Sequence, residues 1–155
     1  MATEIEHKYL VKHELWKNVV PEKSVEIKQA YLSTDPGKTI RVRTAGQKGF
    51  ITIKGKTTGA SRLEFEYEIP YEDALQLISG FCSDVIEKTR HYKSFKNKTW
   101  EVDEFKGLNA GLIVAEIELA SESEVYSKPA WLDADVTKDN RYFNSSLSKN
   151  PFISW

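Results

Sequence analysis

The feature that most constrains this chain is a two-residue alternation of apolar and charged side chains, repeated along most of its length. Such a period marks strands whose two faces meet different surroundings. It runs through residues 3–12, 25–33, 39–45, 50–54, 62–69, 85–95, 99–105 and 112–119. Asp35-Pro36-Gly37, Gly46 with Gly49, and Lys96-Asn97 supply turn chemistry between several of these segments. Eight strands are enough to close a small barrel. The pattern therefore predicts a mainly β chain, a closed eight-stranded antiparallel barrel in one domain over residues 1–155, with a few short helices. One helix is expected over 72–78, with acids in its first turn and Gly80 just beyond. A second should start at the capping box of Ser121 and Glu124. A third should run from Thr137 or Lys138 to near Leu147, and residues 13–19 can form a helical turn.

The charged faces say more than the strands themselves. An ordinary solvated sheet face mixes signs; here the alternate positions are sorted by sign. Glu4, Glu6 and Lys8 share one face of the first strand, opposite Ile5, Tyr9 and Val11. Arg41 and Arg43 share a face of the third, and Thr52 and Lys54 of the fourth. The fifth offers Arg62, Glu64, Glu66 and Glu68, the sixth Lys88 and Arg90, the seventh Glu101 and Asp103, the eighth Glu116 and Glu118. Like charges two residues apart on a strand repel by roughly 2.5 kcal/mol at an effective dielectric of 20. Acid pairs that persist at such a cost invite a cation, and base pairs invite an anion. Oxygen-only acidic clusters favour Mg²⁺ or Mn²⁺. Clustered Arg and Lys favour phosphate, Arg as a bidentate fork and Lys as a point charge. The charged faces should thus line the lumen. The apolar faces should point outward under helices and any oligomer partner, with a homodimer as the assembly left open.

Composition narrows the function further. The formal net charge is −1, so no global basic field exists to hold nucleic acid, and a polyanion site has to be built locally. Cys82 is the only cysteine, which excludes an internal disulfide and a thiolate zinc site. His7, His13 and His91 are scattered and read as surface or packing residues. The start, Met1-Ala2-Thr3-Glu4, turns acidic at once and lacks the basic and apolar stretches of a secretory signal. No apolar run approaches the length of a membrane span, so the cytoplasm is the expected compartment, with no membrane partner.

The charged strands also form an ordered motif series. Glu4-Ile5-Glu6-His7-Lys8 resembles the ExExK signature of the CYTH superfamily, the triphosphate tunnel metalloenzymes. Gln29-Ala30-Tyr31-Leu32, Ile40-Arg41-Val42-Arg43 and Thr52-Ile53-Lys54 follow in order. So do Arg62-Leu63-Glu64-Phe65-Glu66, Glu87-Lys88-Thr89-Arg90, Trp100-Glu101-Val102-Asp103 and Ala115-Glu116-Ile117-Glu118. Val136-Thr137 with Asp139, Arg141, Tyr142 and Asn144 completes the series, and the resemblance covers residues 4–144. It departs at Ala30, where Gly is frequent, and at His7, which should face outward.

The resemblance implies an eight-stranded tunnel, a divalent metal and a small triphosphate-containing substrate. Carried over by position, Glu4, Glu6 and Glu118 are the expected main metal ligands, with Glu66, Asp103 and Glu116 around a second ion. Arg41, Arg43, Lys54, Lys88 and Arg90 are the expected phosphate ligands, supported by Lys8 and Arg62, and Arg141 is expected to close one mouth. Lys54 and Lys88 each have two readings, as phosphate anchors or as proton-transferring catalytic lysines. The implied reaction is metal-assisted hydrolysis of a terminal phosphoanhydride. Among organic and inorganic triphosphates, the short chain leaves little room for a nucleoside subsite. Trp100 should point out of the tunnel and Trp131 should pack, so inorganic triphosphate is favoured. The alternatives are thiamine or nucleoside triphosphate hydrolysis, a class IV-type adenylate cyclase, or a polyphosphate-binding module without catalysis.

Overall fold

The computed structural model describes residues 3–155; Met1 and Ala2, part of the acidic start noted above, lie outside the described residues. Nine strands alternate with short helical pieces. The strands are β1 (Thr3–Val11), β2 (Lys23–Asp35), β3 (Lys38–Ala45), β4 (Lys48–Lys54), β5 (Ser61–Ile69), β6 (Ile86–Phe95), β7 (Lys98–Phe105), β8 (Ile113–Glu118) and β9 (Leu132–Asp135). The strand order is β5-β4-β3-β2-β6-β7-β8-β1-β9, and β5 also pairs with β1. That last pairing closes β1 to β8 into an antiparallel barrel, as the alternation predicts. The closing seam is short: Thr3, Glu4 and Ile5 pair with Leu63, Arg62 and Ser61.

Local chemistry explains the tight connections. Lys96 and Asn97 both adopt positive φ, the geometry that matches a two-residue hairpin to strand twist. At the β2–β3 turn, Asp35 Oδ1 accepts a 2.8 Å hydrogen bond from the Gly37 amide, so the side chain replaces a backbone partner.

The parity of each strand sends its apolar side chains outward. Tyr9, Trp100, Val102, Ala115 and Ile117 form an outer core covered by helix α1 (His13–Trp16) and by the connection carrying Trp131. Trp100 and Trp131 are thus packing residues outside the lumen, as expected. His7 also faces outward, its Nδ1 2.6 Å from the Tyr126 hydroxyl. Helix α2 (Tyr71–Phe81) covers Ala30 and Val42 with Ala74 and Ile78, which accounts for Ala30 as an outer packing position.

Inside the barrel the lining changes character along the axis. Lys8, Lys88, Asp103 and Glu116 are each followed or preceded two residues away, on the same face, by Leu10, Ile86, Phe105 and Val114. These apolar residues pack with Val136, Tyr142 and the fully buried Leu147. The C-terminal segment therefore forms an apolar floor below the charged lumen.

Four expectations need correction. No helix follows Ser121: Glu124 does reach back, but its Oε1 accepts from the Ala120 amide and its Oε2 from Lys98, which pins an extended connection. The helix expected to run to Leu147 is divided. A 3-10 turn at Asn140–Tyr142 precedes helix α3 (Asn144–Lys149), because Phe143 is extended between them. Strand β9 is an addition, pairing Asp135 and Leu132 with Tyr9 and Val11. Helix α2 is also longer than expected and includes Gly80.

Candidate active site

The inward faces enclose a cavity of about 210 Å³. The strands bring Glu4, Glu6, Lys8, Arg41, Arg43, Lys54, Arg62, Glu66, Lys88, Arg90, Glu116 and Glu118 to its wall. Residues separated by most of the sequence become neighbours: Glu6 lies opposite Glu118, Lys8 opposite Glu116, and Glu4 opposite Arg62. Two expected site residues are placed elsewhere. Asp103 lies beneath the wall, only 1% exposed. Arg141 sits on the surface, bonded to Asp139 at 2.8 Å and stacked over Trp155, and is not brought to the cavity.

Ion pairs organise the wall. Lys54 bridges Glu4 and Glu64, each at 3.1 Å. Glu66 Oε2 takes Arg41 and Arg43 at 3.3 Å and the Thr52 hydroxyl at 2.8 Å. Yet the Nε groups of Arg41, Arg43 and Arg62 are buried without a hydrogen-bond partner among the described residues. A buried cationic donor left unpaired is costly, and an anion in the lumen would remove that cost. The local field points the same way. Burial and then the neighbouring Arg41 and Arg90 pull the Arg43 guanidinium down to about 10.

The opposite side crowds its carboxyl groups together. Burial, then Glu116 and Glu4, push the Glu6 carboxyl well above the usual carboxylate range. Burial would raise Glu116 too, but Lys8 and Arg90 outweigh it and hold that carboxyl at about 2. Glu64 is pushed up to about 7 by burial and by its hydrogen bond with Glu4. Lys88 is driven down to about 8 by burial, against the attraction of Asp103.

This chain is similar to proteins of known fold and activity. Residues 2–151 match the CYTH domain. The chain belongs to the CYTH domain family. It is 47% identical to the inorganic triphosphatase of Acetivibrio thermocellus over 153 residues, covering 98% of this chain and 97% of that protein. The crystal structure of the inorganic triphosphatase NE1496 superposes with a TM-score of 0.66 at 30% identity, covering 96% of this chain and 95% of that one. The PH1012 protein of Pyrococcus horikoshii OT3 gives 0.58 at 26% identity, over 77% and 79%.

Whether this CYTH barrel fits a divalent cation can be judged from its donors. Among the described residues no three His, Cys, Asp or Glu side chains stand together in the geometry of a metal centre. The acids are drawn to Lys54, Lys8 and Arg90 instead. Glu4, Glu6, Glu116 and Glu118 nevertheless share one side of the lumen, offer only oxygen and lack enough cations to balance Glu6. That donor set fits Mg²⁺ or Mn²⁺. Asp103 does not join it, because Lys88 and Arg90 enclose it, and Glu66 is committed to two arginines.

The site also holds residues beyond the expected set. Glu64 and Glu101 line it, and their parity with Glu66 and Asp103 is a signal the sequence does carry. Tyr31 sits opposite Arg41 in the β2–β3 register and lines the same wall. Phe143 and Asn144 reach the lumen from the C-terminal segment, where no strand periodicity points to them. Asn144 Oδ1 accepts from Lys88 Nζ at 2.9 Å, and the Phe143 ring lies 5.2 Å from Lys8 Nζ.

Proposed function

We propose that this protein hydrolyses inorganic triphosphate to pyrophosphate and phosphate with Mg²⁺ or Mn²⁺ as cofactor. The observation that carries the reading is the cluster of Arg41, Arg43 and Arg62 on one cavity wall, each with a buried Nε that has no hydrogen-bond partner among the described residues, together with the Glu6 carboxyl crowded by Glu116 and Glu4 on the same cavity. A polyphosphate with its cation satisfies both sides at once. The similarity to a triphosphatase along nearly the whole chain supports the same reading.

In this reading Glu4, Glu6, Glu116 and Glu118 hold the cation. A divalent cation held there would supply charge neutralisation for the phosphate chain and Lewis acidity towards water. Arg41 and Arg43 present their guanidinium groups to the phosphate chain, with Arg62, Lys54 and Arg90 beside them. They stabilise charge on the transferring phosphoryl group, largely by position and electrostatics. Lys8 closes the inner end. Lys88, with its ammonium near 8, anchors phosphate and can also move a proton near neutral pH. Lys54 is an anchor, since Glu4 and its acidic neighbours outweigh burial and Arg41 to raise its ammonium pKa.

A phosphate-release panel tests the function. With Mg²⁺ or Mn²⁺, inorganic triphosphate should be hydrolysed faster than ATP, thiamine triphosphate or pyrophosphate, and chelator should stop the reaction. Cyclic AMP formed from ATP, or triphosphate bound without turnover in the presence of metal, would replace this reading. No helix among the described residues is long and apolar enough to cross a membrane. A cytoplasmic site is consistent with the lone Cys82, and a substrate other than nucleic acid with the net charge of −1. The outer faces of β4 and β5 leave Ile53, Leu63, Phe65 and Tyr67 exposed, which supports a homodimer; sedimentation reads its mass.

A further inference from the structure

The buried carboxylate of Asp103 has a place directly behind the lumen wall that neither metal binding nor general packing explains. Its side chain is 1% exposed, and it lies directly opposite Arg90 in the β6–β7 register. Asp103 Oδ1 accepts from Arg90 Nε at 2.8 Å and Oδ2 accepts from Arg90 Nη2 at 2.9 Å, while the Lys88 ammonium forms an ion pair with Oδ2 at 2.8 Å. The contact to Arg90 is a parallel two-bond fork, the geometry that fixes the plane of a guanidinium. Lys88 is held from a second side by Asn144 Oδ1 at 2.9 Å.

Counting donors shows what this leaves. An ammonium has three N–H bonds; Lys88 donates one to Asn144 and is held in an ion pair by Asp103. A guanidinium has five; Arg90 gives two to Asp103, and its Nη1 and Nη2 also lie 3.5 Å from Glu101 Oε2 and 3.7 Å from Glu116 Oε1, contacts too long to take up the remaining N–H groups fully. Both side chains border the cavity, Arg90 at 11% exposure and Lys88 at its buried inner end with 1%. Two like charges two residues apart on one strand would otherwise separate or lose a proton. Asp103 holds them close, charged and oriented while staying out of the lumen itself.

We infer that Asp103 is a positioning residue, which aims the remaining donors of Lys88 and Arg90 at one phosphoryl group of the substrate. The inference rests on the triphosphate reading above. It differs from metal ligation in sign as well as in place. Removing a negative charge beside an anion site should, by Coulomb attraction alone, tighten anion binding. Removing a positioning residue should weaken it.

The test uses the full chain and linear inorganic triphosphate. Binding is measured by calorimetry in chelator, and the Mg²⁺ concentration for half-maximal turnover is measured separately. For Asp103→Asn we expect metal-free binding at least about tenfold weaker, the scale of one charge-assisted hydrogen bond. Half-saturating Mg²⁺ should stay within about twofold of wild type. Equal or tighter metal-free binding by the variant overturns the inference, as does a tenfold rise in half-saturating Mg²⁺ with metal-free binding unchanged. A role confined to stability would lower the melting temperature and leave the binding of folded protein intact, which overturns it too. If Asp103→Asn does not fold, Asp103→Asn with Lys88→Met removes one buried charge of each sign and is compared with Lys88→Met alone. Weaker binding in the double variant supports positioning of Arg90, and equal or tighter binding overturns it. A wild-type chain that fails to bind triphosphate with or without Mg²⁺ overturns the functional reading itself, and positioning with it. Wild-type binding that Asp103→Asn leaves unaltered overturns positioning alone.

Discussion

At the scale of single residues, the wall works through charges whose partners are only partly within the protein. Arg43 shares Glu66 with Arg41 and keeps a buried Nε free. Arg43→Ala should therefore raise KM for triphosphate about 10- to 100-fold, the range of one or two charge-assisted bonds. Arg43→Lys should recover only part of that loss, since an ammonium cannot reproduce the fork. Steady-state kinetics on both variants decide it, and wild-type kinetics from Arg43→Ala would remove the arginine from the site. Glu6 makes the complementary case. Its carboxyl is crowded by Glu116 and Glu4, so Glu6→Gln keeps the shape and removes the repulsion. Metal-dependent turnover should fall by most of its value while the metal-free melting temperature at neutral pH holds or rises. A variant that melts lower but turns over normally per folded molecule would make Glu6 a structural ion-pair partner instead. These residues were legible in the sequence because parity groups them by sign. Burial was not, and burial separates Asp103 from Glu101 on the same strand face.

At the scale of elements, close packing on the outside fixes what the inside presents. Helix α2 lies so near β4 that a Cβ on Gly49 would stand 2.7 Å from Ala74 Cβ and 3.1 Å from the Ile69 and Pro70 carbonyl oxygens. Gly49→Ala should cost about 1–3 kcal/mol, the usual range for overpacking, because two of those neighbours are backbone. A thermal or denaturant melt reads that loss. Activity per folded molecule should survive, since Gly49 contributes nothing to the lumen; an unchanged midpoint would mean that α2 can shift. The elements with strict alternation were predictable within a few residues. The stretch after Ser121 was not, although its capping-box residues are present. Glu124 finds Lys98 and the Ala120 amide, and these tertiary partners outweigh a local helical preference.

At the scale of the whole molecule, the barrel is an electrostatic assembly with two opposite dependences on pH. Glu4, Asp103 and Glu116 have lowered carboxyl pKa values, so their stabilisation is present above the unfolded values and lost as pH falls through the folded ones. Glu6 and Glu64 are raised, so the folded chain binds more protons than the unfolded chain above 4.5, and stability declines as pH rises through about 7 for Glu64. Metal-free protein should thus melt highest on the acid side of neutrality, and Mg²⁺ with triphosphate should flatten the decline towards neutral pH. Melting curves across pH with and without ligand test this. A metal-free melting temperature that climbs steadily through pH 7 would contradict the crowding of these acids. The sequence by itself determined the eight barrel strands, though not β9, the inward and outward faces, the antiparallel barrel and the sign of each charged row, because a two-residue period needs only neighbours along the chain. Only the tertiary structure decided which acid meets which base, that Asp103 is enclosed while Glu6 is not, that Arg141 stays outside, and that Phe143 and Asn144 meet Lys8 and Lys88 above an apolar floor. Those outcomes depend on strand register, closure and the docking of a segment that carries no period of its own, and contacts across such distances leave no local trace in the chain.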